Sequence, residues 1–227
     1  MLSKGLRWAA AGLLAGACAA SGAPSSTLEQ KFTWYGYLAG ADIKDACSAD
    51  GPLRFRYVFN AIFTEEVRAL DLEGRVGEGA WLESRRYAGA RVLDVTSAGL
   101  INRPDKAAVF LNAARLDDVL DVIVASGFAD PAETGLILRS DDFYGVATGC
   151  RGGEFRIHGY RREALPGLGF VEALQAIDPL ESPWPAVFDT GKPTAAMADT
   201  RGDTRDSIDP YFVIEIGHSG LRGVNDW

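Results

Sequence analysis

The sequence predicts an α+β fold: a mainly antiparallel β-sheet with two or so packed helices and one disulfide. Three observations lead there. Segments with two-residue apolar alternation outnumber segments with a helical period. The helical segments fall late in the chain instead of alternating with strands, which argues against a parallel sheet. Once the first residues are set aside, two cysteines remain that can join distant strands.

Taken in order, "KFTWYGYLAG" (31–40) is aromatic-rich and reads as a first strand. "LRFRYVFNAIF" (53–63) alternates clearly. Leu53, Phe55, Tyr57 and Phe59 share one side, and Arg54, Arg56 and Val58 share the other. That pattern predicts a sheet with one dry face and one wetter face. "EEVRALDLEG" (65–74) is its expected partner, with Val67, Ala69 and Asp71 opposite Arg68, Leu70 and Leu72. Shorter strands are expected at 80–87, 107–112, 135–140, 143–149 and 154–161, and "PYFVIEIGHS" (210–219) supplies a late one.

Two helices are expected. In "ARLDDVLDVIVASG" (114–127), Leu116, Val119, Leu120, Ile123 and Val124 form a core-facing stripe, Asp117, Asp118 and Asp121 take the outer side, and Gly127 suits the position after the last turn. "PGLGFVEALQAIDP" (166–179) is the second, bounded by Pro166 and Pro179. Residues 181–209, rich in Pro, Thr, Asp and Gly, read as a long loop.

The opening residues carry an address. Lys4 and Arg7 precede an uncharged run from Trp8 to Ala17, followed by small residues. This is the order of an export signal, and the run falls short of the roughly 18–20 apolar residues a spanning helix requires. Leu14-Ala15-Gly16-Ala17-Cys18 resembles the lipobox of bacterial lipoproteins, with Ala15 where leucine is commonest. The resemblance covers only about 18 residues and implies removal of residues 1–17, lipidation of Cys18, and a membrane attachment through that lipid. Ala19 then favours the outer membrane, on its periplasmic side. Cleavage after Ala15-Gly16-Ala17 or Ser21-Gly22-Ala23 would instead yield a soluble periplasmic protein. Either way residues 18–30 read as a flexible tether, and 31–227 as one α+β unit.

Export leaves Cys47 and Cys150 as a natural pair in an oxidising compartment. The whole chain has 23 basic and 31 acidic residues; without the leader's Lys4 and Arg7 the basic count is 21. Such an acidic balance repels phosphate backbones, so no nucleic acid partner is expected. Nothing points to a cofactor, and two histidines without a ligand spacing point to no metal site. The acidic group Asp199, Asp203, Asp206 and Asp209 is interleaved with Arg201 and Arg205, which compete with a cation. "GHSG" at 217–220 lacks the glycine a nucleophile elbow needs at 221, where Leu221 stands.

Two function classes remain as expectations. In the first, an envelope lipoprotein serves as a binding or assembly module for an envelope protein partner, through a surface drawn from Trp34, Tyr35, Tyr37, Tyr57 and Trp81. In the second, a periplasmic hydrolase uses His158 or His218 with an aspartate.

Overall fold

Residues 35–63, 65–88, 104–186, 212–217 and 220–224 are described by a computed structural model. Two antiparallel sheets and a set of short helices make an α+β architecture. The larger sheet holds β1 (Leu53–Ala61), β2 (Glu66–Arg75), β3 (Gly79–Ala88), β4 (Asp105–Asn112), β6 (Phe143–Arg151) and β7 (Glu154–Arg161), in the order β4-β3-β2-β1-β6-β7. The smaller sheet has the order β5-β8-β9, with β5 at Leu136–Arg139, β8 at Val213–Gly217 and β9 at Gly220–Val224. The expected strands lie where alternation placed them, except the first.

Residues 35–38 are helical, not extended, and α1 (Ala41–Asp45) follows directly. Aromatic enrichment suggested a strand, yet the segment has no partner strand. It lies across the sheet with Leu38 and Ile43 fully buried beneath it. The second core helix is also shorter than expected. A 3₁₀ segment, Arg162–Gly167, contains Pro166, and α3 occupies only Gly169–Gln175. The α2 helix (Ala113–Ile123) buries Leu116, Val119, Leu120 and Ile123 of its expected stripe, whereas Val124, at the widened turn that follows, is 46% exposed. Asn112 caps it, with Oδ1 accepting from the Arg115 N–H at 3.0 Å. The helix runs on into a wider π-helical turn, Val124–Phe128, where Gly127 takes φ 82° and ends it.

The prediction of one dry face holds for one side of the large sheet. Leu53, Phe55, Tyr57, Phe59, Leu70, Leu72 and Leu82 pack there against α2 and α3. The opposite face is not uniformly wet. Val58, Val67, Tyr144, Val146 and Ile157 are buried beneath Leu136, Leu138, Ile214 and Ile216 of the small sheet. The layers approach so closely that a Cβ on Gly159 would meet the Ile216 side chain at 2.6 Å. Helices, large sheet and small sheet therefore stack as three layers, and the third covers the β1, β6 and β7 part of the face, its core reaching Val67 and Ala69 of β2.

The Cys47–Cys150 disulfide is formed, with Cα atoms 5.6 Å apart and a sequence separation of 103. It ties the loop after α1 to the end of β6. The bridge therefore precedes the first strand of the sheet, because the strand expected at 31–40 is absent from the described part of that segment.

A buried arginine holds the start of the segment expected to be a loop. Arg68, 1% exposed, sits in the apolar stripe of β2. It donates to Glu66 Oε1 at 2.6 Å, Asp178 Oδ2 at 3.3 Å, the Ser182 carbonyl at 2.9 Å, Ser182 Oγ at 3.0 Å and the Pro183 carbonyl at 2.6 Å. The Trp184 indole donates to the same Asp178 oxygen at 2.9 Å, and its ring packs on Phe59 with centroids 5.4 Å apart. Asp178, Ser182, Pro183 and Trp184 are thus strapped to the large sheet.

Candidate binding surface

The part of the second sheet face that the small sheet leaves uncovered belongs to β3 and β4. Strand alternation puts Trp81, Glu83, Arg85 and Tyr87 of β3 on this side, together with Lys106, Ala108 and Phe110 of β4. Trp81 lies directly opposite Phe110 in the register. The two rings meet edge-on, 5.5 Å between centroids, and are 58% and 52% exposed. A contacting pair of large exposed aromatics differs from the isolated apolar residues common on any surface.

Charged groups border this pair and run inward across the strands. Arg54 and Arg56 both reach Asp42, at 3.0 and 2.8 Å. Arg56 Nε lies 2.5 Å from Asp71 Oδ1, and Arg85 Nη1 lies 3.3 Å from Asp71 Oδ2. Arg85 also pairs with Glu83, which Lys106 approaches at 3.9 Å. Burial opposes ionisation of Asp42, but the Arg56 hydrogen bond and the charges of Arg56 and Arg54 hold its carboxyl below the usual range.

Tyr37 is built into this row. Its hydroxyl donates to Asp71 Oδ2 at 2.7 Å, and the Arg56 guanidinium stands 3.8 Å from its ring centre. Burial, then the Asp71 charge, drives its phenol far above the ordinary value. Tyr35 is part-buried and packs against the small-sheet core, with burial pushing its phenol up to about 12. Neither tyrosine offers a free ring.

Of the expected surface residues that are described, Trp81 is the exposed one. Tyr57 requires correction: it is fully buried between β1 and α3, its ring 5.2 Å from Phe170, because it faces the helix layer. Trp34 and the lipidation candidate Cys18 lie outside the described residues. Phe110 escaped the sequence reading. Its alternation with Val109 and Leu111 was visible, but which side of β4 stays open depends on where the small sheet ends.

The histidines do not assemble a hydrolytic pair among the described residues. His158 is buried against Phe128 and Tyr160, with ring centroids at 5.0 and 6.2 Å. Its Nε2 has no hydrogen-bond partner among the described residues. Burial, then the Arg156 charge, lowers its pKa, while backbone groups of Asp130 and Phe128 and the Asp130 charge oppose this only in part. A concavity of about 600 Å³ follows Gln175, Asp178, Glu181 and Trp184, and another of about 170 Å³ lies between Phe55, Ile123 and Phe128; His158 lines neither. His218 lies outside the described residues, as does the 199–209 acidic group.

A pH dependence follows from His158. Its folded pKa lies below the unfolded value near 6.5, so the unfolded chain takes up the proton first as pH falls. Its contribution is present in full above that value and declines below it. His158→Phe is expected to flatten the stability-versus-pH curve just below pH ~6.5, measured by urea unfolding. An unchanged slope would mean that the ring protonates as easily in the fold as outside it.

The chain matches no protein family, no curated protein and no solved structure. Its chemistry must therefore be argued from its own residues. Among those described, no cluster of His, Cys, Asp or Glu has the geometry to hold a metal ion, and no helix is long and apolar enough to cross a membrane.

Proposed function

We propose that this protein is an exported envelope lipoprotein, anchored through lipid on Cys18, that works as a binding or assembly module. Its partner is another envelope protein, gripped by the Trp81–Phe110 surface. The observation that carries this reading is that exposed, mutually packed aromatic pair on an otherwise charged sheet face. Aromatic rings flanked by charge supply large contact area at the centre and polar contacts at the rim, the anatomy of a protein–protein hot spot. The leader residues support export, and the formed disulfide suits an oxidising compartment. The periplasmic side of the outer membrane is the proposed location. The hydrolase reading draws no support from His158, whose ring faces aromatic neighbours.

The test is capture from detergent-solubilised envelopes with the natively processed protein and its Trp81→Ala variant. Because Trp81 is exposed, the substitution should change stability by only about 0.5 kcal/mol. The captured partner should fall at least about tenfold, as expected for a truncated aromatic anchor. Equal capture by both proteins, or none beyond that of an unrelated lipoprotein, would overturn the proposal.

A further inference from the structure

Among the described residues, the outermost strand of the large sheet has one neighbour only: β4 pairs with β3 along its inner side, and no described strand pairs with its outer side. An unpaired strand edge presents N–H and C=O groups to any strand of matching length, and proteins usually guard such edges with charge, brevity or irregularity. The other edges here follow that rule. β7 carries Glu154, Arg156 and Arg161, β5 is only four residues long, and β9 is five residues with Arg222 at its centre. β4 has Asp105 and Lys106 at its start, followed by Ala107-Ala108-Val109-Phe110-Leu111 without a charge. Its exposed side still shows Lys106, Ala108 and Phe110 to solvent.

That exposed row is complementary to itself. If a second β4 runs antiparallel with the two-fold axis at Ala108, each Lys106 lies opposite the other copy's Phe110. Both ammonium groups then meet an aromatic ring, and symmetry makes the contact twice. The alanines at the axis leave room for the strands to approach, and Ala107 meets Val109 on the opposite side. Among the described residues Lys106 makes only a long ion pair with Glu83, at 3.9 Å, so it is available for this role. β7 repeats the spacing, with Arg156 and Tyr160 each two residues from His158, but there His158 is buried and Tyr160 packs on Phe170, so only on β4 does the row face solvent among the described edges.

We infer that two copies of this chain associate through β4, edge to edge, about a two-fold axis at Ala108. The large sheets join into one continuous sheet, and both Trp81 rings remain on the same face, one strand in from the seam. The contact is a strand edge with two side-chain pairs on one face, so the dimer is a weak and reversible one. It goes beyond the capture reading, because it is measured on the pure protein.

The test is sedimentation equilibrium of the purified full chain carrying Cys18→Ser, so that no other free thiol is present, over a concentration series. A monomer–dimer equilibrium is expected. Lys106→Glu should raise the dissociation constant about tenfold or more, since symmetry removes two cation–aromatic contacts at once. Register is read separately with Ala108→Cys, which a short thiol-reactive linker should join to its own copy, while Ala107→Cys, facing Val109, should join far less. A protein that stays monomeric throughout, or a dimer that links equally at both positions, overturns the inference. A melting scan of each variant distinguishes lost pairing from lost folding. Trp81→Ala should keep the dimer, so loss of envelope capture and loss of self-association are separately readable.

Discussion

Replacing Arg68 with methionine is expected to destabilise the fold by about 3–5 kcal/mol, the range for removing one partner of a buried charge cluster. The apolar stem of the side chain would be retained, so little packing is lost. What is lost is the group that, among the described residues, satisfies two carboxylates and two carbonyls together. Asp178 is almost as buried as Arg68, and the Ser182 and Pro183 carbonyls both point at the guanidinium. Without it Asp178 keeps the Trp184 indole and the Leu180 N–H as donors, but no cation. The measurement is urea unfolding at neutral pH. A second observable reports on the strap itself: Trp184 fluorescence should shift toward that of a solvated indole before global unfolding, because the segment loses its anchor to β2. Arg68→Lys should recover little, since one ammonium cannot reach five acceptors in a fixed planar arrangement. If Arg68→Met unfolds at the same urea concentration as the parent, the buried cluster contributes nothing net and the strap is held by Trp184 packing alone.

Breaking the disulfide is expected to cost a comparable amount. Cys47 and Cys150 close a loop with a sequence separation of 103, for which the chain-entropy account gives about 4–5 kcal/mol. The double variant Cys47→Ser/Cys150→Ser should show this loss in the midpoint of denaturation. The parent protein in strong reductant should behave the same way. The loss should be felt unevenly. The bridge fastens the residues around α1 to the second sheet face, where Tyr37 and Asp42 complete the row with Arg56 and Asp71. Amides of 41–45 should therefore exchange faster than those of β1 and β2 in the reduced protein. Uniform acceleration across the sheet would show that the bridge acts on the whole fold and not on that segment. A stability unchanged by reduction would remove the crosslink from the account of what holds the fold together.

Both effects were visible in the sequence to different degrees. On the expectation that the opening residues are an export signal that takes Cys18 out of the count, Cys47 and Cys150 are the pair left, and these are the cysteines joined. Arg68 could be seen to share a side with Leu70 and Leu72, an arginine inside an apolar stripe. Its partners could not be named, because Asp178 lies 110 positions away and the strap carries no periodic signal. The binding surface was half legible for a similar reason. Trp81 and Tyr57 are both aromatic residues at alternating strand positions, yet one is exposed and the other has no exposure at all. Alternation assigns each to a side of its strand and is silent about what covers that side.

The sequence alone determined the strands and their faces, the α2 stripe and the cysteine pair, because these depend on neighbours within a few positions or on simple elimination. The helical nature of 35–38 was decided by tertiary structure, since a segment without a partner strand satisfies its backbone by coiling. Strand order was decided there as well, and with it the open edge at β4 and the open face beneath Trp81 and Phe110. A strand's exposure depends on which elements lie beside and above it, and that depends on contacts between residues far apart in the chain.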